Sequence, residues 1–238
     1  MSSLSLTVKT LFLSFGKILA ALSTIGITAM LTRMLTMEEY ATHKQTLLIY
    51  AMLAPALMMG IPKALYYFLP GEKERPRAIL LDNLLILVLC GSVFGAAIYF
   101  GLGDFFAHQF DNARISQTAV MLIPYAVCMM PMAALAACMM ATDRVRTLVT
   151  FQTLGQLLLI VVVGVSAWSY GSADATLGAY SGWAILMVVP AVWIMLSSTR
   201  KSPVRRPSLT GMKTQLKFGI PLGLAGIFGI LTLQLDKL

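Results

Sequence analysis

A lysine stands in an apolar run near the start of the chain. Lys17 lies within SFGKILAALSTIGIT, and Ser14, Lys17, Ala21, Thr24 and Thr28 recur at three- and four-residue steps. That spacing lays one small, polar stripe along a single helix face. Leaving a lysine at a bilayer centre costs about 2.5–3.5 kcal/mol, so a stripe of this kind faces protein or water and not lipid. Two chemistries are open to it. Either Lys17 lines a water-filled cavity, or it snorkels or makes a structural hydrogen bond. Eight residues separate it from Lys9, about 12 Å along a helix axis.

Other candidates follow. Lys63 succeeds Pro62, and Asp82 lies about one turn inside the next apolar run. The two are placed to pair at similar depth, or Lys63 holds an anionic headgroup at the cytoplasmic mouth. Pro55 and Pro62 are seven residues apart, as are Pro124 and Pro131. Each proline removes a helix hydrogen bond and favours a kink, so these four mark candidate hinges or a bent cavity wall. The pairs Gly91/Gly95, Gly178/Gly182 and Gly219/Gly223 are close-packing signals between membrane helices.

Catalytic patterns are missing. There is no phosphate loop, HExxH or GxSxG, and GLGD at 101–104 lacks a strand before it. Glu38/Glu39, Glu72/Glu74, Asp104 and Asp111 show no metal-type spacing. Cys90, Cys128 and Cys138 sit inside apolar runs as small buried side chains. The reading is of a chain that is not an enzyme and uses neither cofactor nor metal.

The elements that must position these residues are membrane helices. Hydrophobic residues make up 58% of the 238 and charged residues 12%, against about 25% charged in soluble domains; mean hydropathy is +0.80. No soluble fold of this size hides so much apolar surface. Runs long enough to cross a bilayer fall at 10–33, 46–69, 79–102, 116–141, 148–168, 176–196 and 218–236. An all-α, polytopic fold is required, because backbone groups in lipid must be satisfied within each segment. Of the lysines and arginines in connectors and at helix edges, eleven fall in the even connectors. The odd ones hold Arg33, Lys44 and Arg114. The positive-inside rule puts the N-terminus and the even connectors in the cytoplasm. The net charge of +8 is then met by anionic lipid at the basic connector 197–217, with no call for nucleic acid.

Residues 14–35 align with 217–238 at an offset of 203, with six identities including Phe15/Phe218, Gly16/Gly219 and Gly26/Gly229. Transporters are often built from internal repeats with the substrate site between them. The expectation is a six-helix lobe over 1–196, a basic linker over 197–217, and a second lobe opening at 218–238, whose remaining helices this chain lacks.

Three stretches carry a family resemblance. LTRMLTMEEYATHKQ at 31–45 resembles the loop after the first helix of polysaccharide (O-antigen type) flippases; GIPKALYYFLP at 60–70 is similar to the end of their second helix; KFGIPLGLAGIFGILTLQLDKL at 217–238 resembles their seventh. The family usually has Gly after Glu-Glu-Tyr, where this chain has Ala41. These flippases belong to the multidrug/oligosaccharidyl-lipid/polysaccharide (MOP) exporter superfamily. The resemblance implies an N-terminal lobe of a V-shaped, two-lobed exporter in the inner membrane. Its cargo would be a lipid-linked oligosaccharide of polyprenyl diphosphate type, moved by alternating access through a cationic cavity, with lipids and the C-terminal lobe as partners. Lys17 matches the cationic role, Lys63 is second, and Thr24 and Thr28 share the stripe. Arg33 and Asp236, related by the internal offset, are candidates for a gate or inter-lobe contact. A small-molecule or multidrug ion antiporter of the same superfamily is the alternative. It would favour acidic residues in mid-span, where this chain has none.

Overall fold

The computed structural model describes residues 6–71, 75–199 and 207–235, with side chains over 10–71, 75–199 and 207–225. Asp236 and most of the basic linker lie outside the described residues. Eleven α-helices are described in order: α1 Leu6–Met34, α2 Met37–Met58, α3 Ile61–Gly71, α4 Pro76–Ala97, α5 Gly103–Gln109, α6 Arg114–Met121, α7 Ile123–Met132, α8 Ala134–Ala141, α9 Val145–Tyr170, α10 Ala173–Ser198 and α11 Leu209–Leu235. A π-helical turn, Ile98–Leu102, joins α4 to α5. Five helical stretches are long and apolar enough to cross a membrane, and α2 with α3, bent by 43°, makes a sixth. The chain is a multi-pass membrane protein of all-α fold.

Each interruption has a local cause. Pro55 and Pro62 flank the α2–α3 break, where Met59 (φ 38°) and Gly60 (φ 72°) are both left-handed. Gly60 suits that conformation; Met59 adopts it at a cost of about 1–2 kcal/mol. Pro124 follows the α6–α7 break at Leu122, and Pro131 precedes the α7–α8 break at Ala133. Pro55 and Pro62 therefore stand at a bend of 43°, and Pro124 and Pro131 beside short helix interruptions; the missing N–H of each leaves a carbonyl without its helical partner.

Two expectations are corrected. The stretch 31–45 is not a loop: only Leu35 and Thr36 separate α1 from α2. Thr36 Oγ1 accepts the Glu39 amide at 3.3 Å in a Thr-x-x-Glu capping sequence that starts the helix at once. The polar face behind it is buried in contacts with other helices. Thr46 meets Thr118 of α6 at 2.7 Å between hydroxyls, and Asn112 donates to Thr42 and Gln45, both at 2.9 Å. Such interhelical bonds contribute on average about 0.6 kcal/mol each in a membrane.

The second correction concerns the glycine pairs. Lipid tails supply no hydrophobic drive between helices, so close approach decides packing. A Cβ on Gly91 would lie 2.8 Å from Val127 Cα, and one on Gly95 would lie 2.8 Å from Ile123 Cγ2. These two set the α4–α7 contact. Gly219 and Gly223 seat α11 across the α2–α3 break. Among the described residues Gly178 and Gly182 face open space, with nothing within 4 Å of a Cβ. Gly91→Leu should therefore lower stability by about 1–3 kcal/mol. Gly178→Leu should stay within about 0.5 kcal/mol of wild type. Unfolding midpoints in one detergent check the contrast; equal effects would remove the close-packing account.

The helices pack in a chain of neighbours: α1 on α9, α9 on α10, α10 and α4 on α7, α3 on α8 and α4, and α11 on α3 and α4. Phe94, Ile49, Leu122 and Met130 fill one core; Leu65, Leu80, Leu87 and Met139 fill another. Helix α1 has one principal partner, and 11% of its most apolar window is buried, against 33–44% in the other four unbent spans. Phe15, Ile18, Leu22 and Ile25 stay exposed along it. This leaves the polar stripe beside a groove and not inside a bundle.

Candidate functional site

That groove opens into a cavity of about 430 Å³. Helix α1 contributes Leu13, Gly16, Lys17 and Ala20, and α9 contributes Phe151, Gln152, Thr153 and Gln156. Tyr50 of α2 and Trp183 and Met187 of α10 also line it, with Met132, Ala133 and Ala136 around the α7–α8 break. Among the described residues Lys17 is the sole charged one in the lining. A cation set among neutral amides and hydroxyls offers charge-assisted hydrogen bonds to an anion with no internal competitor.

Local structure explains the shape. A Cβ on Gly16 would meet Val149 Cγ1 at 3.3 Å, and one on Gly164 would meet Met30 Sδ at 2.9 Å, so α1 lies tightly along α9 at two heights. Lys17 follows Gly16 at the cavity edge. Trp183 Nε1 donates to the Gly155 carbonyl at 2.8 Å, fixing the indole on the wall. Gln152 and Gln156 are one turn apart on the same face of α9.

Lys63 lines a second cavity, of about 340 Å³, with Pro55, Gly60, Pro62 and Tyr66 on the bent α2–α3 and Leu222 and Gly223 on α11. Ala133 and Ala136 line both cavities. Two small side chains at the α7–α8 break are thus common to the walls of the Lys17 and Lys63 cavities.

The rest of the expected stripe has other occupations. Thr24 is exposed and its hydroxyl donates to Ala20 O at 3.0 Å. Thr28 accepts from Lys44 Nζ of α2 at 3.1 Å. Neither lines the cavity. Arg33 is exposed in the last turn of α1, and its proposed counterpart Asp236 lies outside the described residues. The pairing of Lys63 with Asp82 does not form among the described residues. Asp82 is buried and accepts the Ser208 amide at 2.8 Å. Beside it Asn83 donates to Ile61 O at 2.8 Å and to Gln215 Oε1 at 2.7 Å, and Gln215 donates to Ile79 O at 2.9 Å. Helix α11 is therefore tied to α4 by side-chain amides at its start and seated by glycines further along.

A polar cluster that the sequence reading missed closes the opposite end. Arg114 pairs with Glu39 and, at 3.5 Å, with Asp174, while Glu39 accepts the Ala173 amide at 2.6 Å. Three helix starts, those of α2, α6 and α10, meet there. The cavity glutamines were also missed, although two polar residues a turn apart in the apolar run 148–168 are a usable signal.

No protein-family model and no curated protein sequence matches the chain. Among solved structures, a MOP superfamily transporter from Pyrococcus furiosus is similar, with a TM-score of 0.73 and 15% identity. The match covers 92% of this chain and 52% of that one, so this chain spans about half the length of that transporter. The fold is that of about half of that transporter. At this identity the likeness is one of architecture.

Proposed function

We propose that the chain forms one lobe of a transporter that moves a lipid-linked oligosaccharide across the cytoplasmic membrane by alternating access. The cargo would be anchored through its polyprenyl diphosphate. The observation that carries this reading is the charge of the cavities: among the described residues, Lys17 is the one charged group lining the first, Lys63 the one lining the second, and no carboxylate lines either. A diphosphate leaving water needs cations and hydrogen-bond donors along its route, and Lys17, Gln152, Thr153 and Gln156 supply both. The neighbour from Pyrococcus furiosus is described as a transporter whose binding pocket of reversed polarity suggests a different function. Pocket charge is therefore a sensible discriminator within this fold.

In this reading residues 1–196 are a lobe, 197–217 a basic linker on the cytoplasmic face, and 218–238 the first helix of a second lobe that shares the groove beside α1. The N-terminus is cytoplasmic, as the lysine and arginine bias requires. The bend at Pro55 and Pro62 and the helix interruptions beside Pro124 and Pro131 are where the lobe flexes between its inward- and outward-open forms. The competing reading, a proton- or sodium-driven antiporter of organic cations, would put an acidic group where Lys17 stands.

The full-length protein in proteoliposomes distinguishes the two. Transbilayer movement of a polyprenyl-diphosphate-linked sugar, and none of a lipophilic cation, is expected. Movement of the cation alone would replace this reading with the antiporter.

A further inference from the structure

Lys63 stands one turn from a belt of rings. Tyr66, Tyr67 and Phe68 follow it on α3. Phe218 of α11 stacks on Tyr67, with ring centroids 5.0 Å apart, and meets Phe68 at 5.5 Å. Tyr66 and Tyr67 are exposed. Exposed phenols grouped near the end of a membrane helix mark headgroup depth. Lys63 precedes Tyr66 by three residues, about 4.5 Å along the axis. A lysine stem spans that distance, so its ammonium lies within reach of phospholipid phosphates.

The cavity that Lys63 lines suits a charged head on a hydrocarbon chain. Among the described residues its side chains are apolar apart from Lys63 and Tyr66. Met58, Pro62 and Leu222 offer hydrocarbon to a chain. Its volume of about 340 Å³ takes a headgroup and the start of its chains, since small-molecule sites begin near about 300 Å³. The Lys63 ammonium forms no ion pair or hydrogen bond among the described residues. The Tyr66 hydroxyl donates to Met140 Sδ at 3.5 Å, a weak acceptor that a phosphate oxygen can replace. One cation and one hydroxyl balance a single negative charge, which is what a phosphodiester carries. A diphosphate carries more, and the surplus would lie uncompensated against apolar walls. The Lys17 cavity differs, because Gln152, Thr153 and Gln156 add donors there.

We propose that this cavity binds one anionic phospholipid of the surrounding bilayer, and that the lipid fastens α11 to the α2–α3 bend. Its phosphate meets Lys63 and Tyr66, and its chain lies along Leu222. The two sides of the cavity come from different elements: Gly60, Pro62 and Lys63 from the bend, Leu222 and Gly223 from α11. A ligand between them adds contact to a junction otherwise seated on glycines. What the Lys17 cavity carries does not enter this inference, and its failure would leave the transport reading untouched.

The test titrates the whole chain, in a neutral detergent, with dioleoylphosphatidylglycerol or with dioleoylphosphatidylcholine, which share their chains. Native mass spectrometry counts bound lipid, and thermal unfolding follows stability. The first phosphatidylglycerol should bind at least about fivefold more tightly than phosphatidylcholine, the effect of one lysine on an anionic headgroup. It should also raise the unfolding midpoint, since it binds the folded chain. Lys63→Gln should lose both effects, and Lys63→Arg should keep them. Lys17→Gln, and Lys213→Gln with Lys217→Gln, remove cations outside this cavity and should keep them too. The inference is overturned by equal binding of the two lipids, by a preference that survives Lys63→Gln, by one that the outside cations carry, or by a midpoint that stays flat. Displacement of phosphatidylglycerol by an equimolar short-chain polyprenyl diphosphate would give the cavity to the cargo and overturn it as well. The lipid comparison and the displacement use the native chain and stand even where a variant fails to fold.

Discussion

Lys17→Glu should abolish export of the lipid-linked sugar while the protein still inserts and folds. Lys17 is at the cavity edge, and its change leaves the α1–α9 contact untouched, because that contact runs through Gly16, Ile27, Leu31 and Gly164. The expected loss is large for a physical reason. Removing the cation forfeits a charge-assisted bond to phosphate, worth about twice a neutral one. Reversing its sign adds like-charge repulsion of several kcal/mol against a bound anion, and each 1.4 kcal/mol is about tenfold. Lys17→Glu should therefore fall at least about 100-fold, Lys17→Ala should be intermediate, and Lys17→Arg should keep most activity. Export rates normalised to membrane-inserted protein give the comparison. Equal activity of the Glu and Arg variants would take Lys17 out of the site.

Gly223→Leu should unseat α11. A Cβ at Gly223 would stand 2.2 Å from Met59 C and 2.4 Å from Met59 Cα, and the obstacle is backbone. It cannot rotate away as a side chain would. Gly60 faces the same contact: its own Cβ would lie 2.9 Å from Gly219 O and from Gly223 N. The bent α2–α3 junction and α11 thus interlock at three glycines. Because α11 also lines the Lys63 cavity through Leu222 and Gly223, its displacement would open that cavity. Gly223→Leu should cost several kcal/mol of docking, more than a single overpacked methyl group, since overpacking of even mobile cores costs about 1–3 kcal/mol. Disulfide trapping between cysteines at Pro62 and Leu222 would report it: efficient in the parent, lost in Gly223→Leu. Trapping that survives would mean that the junction yields more readily than its left-handed backbone implies.

How much of this was legible in the sequence varies with the kind of information required. The apolar runs and the polar stripe around Lys17 were readable, because length and helical period are local properties. The bend beside Pro55 and Pro62 was readable for the same reason. The start of α2 was not: Glu38, Glu39, Thr42, His43, Lys44 and Gln45 look like an aqueous loop. They are helical because Thr36 caps them and because Thr118, Asn112, Arg114 and Thr176 lie opposite, 67 to 133 residues away in sequence. No periodicity announces partners at that separation. The glycine pairs make the same point. Gly178/Gly182 and Gly219/Gly223 share one spacing, but among the described residues only the second pair has a neighbour to admit. Asp82 was assigned a cation by depth alone, and its true partner is a backbone amide at the start of α11. Thr28 left the cavity because Lys44 of the next helix takes its hydroxyl.

The central claim is that a cavity with one fixed positive charge holds an anionic headgroup. Titrating the protein with a short-chain polyprenyl diphosphate, and separately with an organic cation of similar size, while following Trp183 on the cavity wall, tests it most directly. The account predicts saturable binding of the diphosphate, weakened at least about tenfold in Lys17→Ala, the loss of one charge-assisted contact, and no binding of the cation. Diphosphate binding indifferent to Lys17, or preferential binding of the cation, would contradict it.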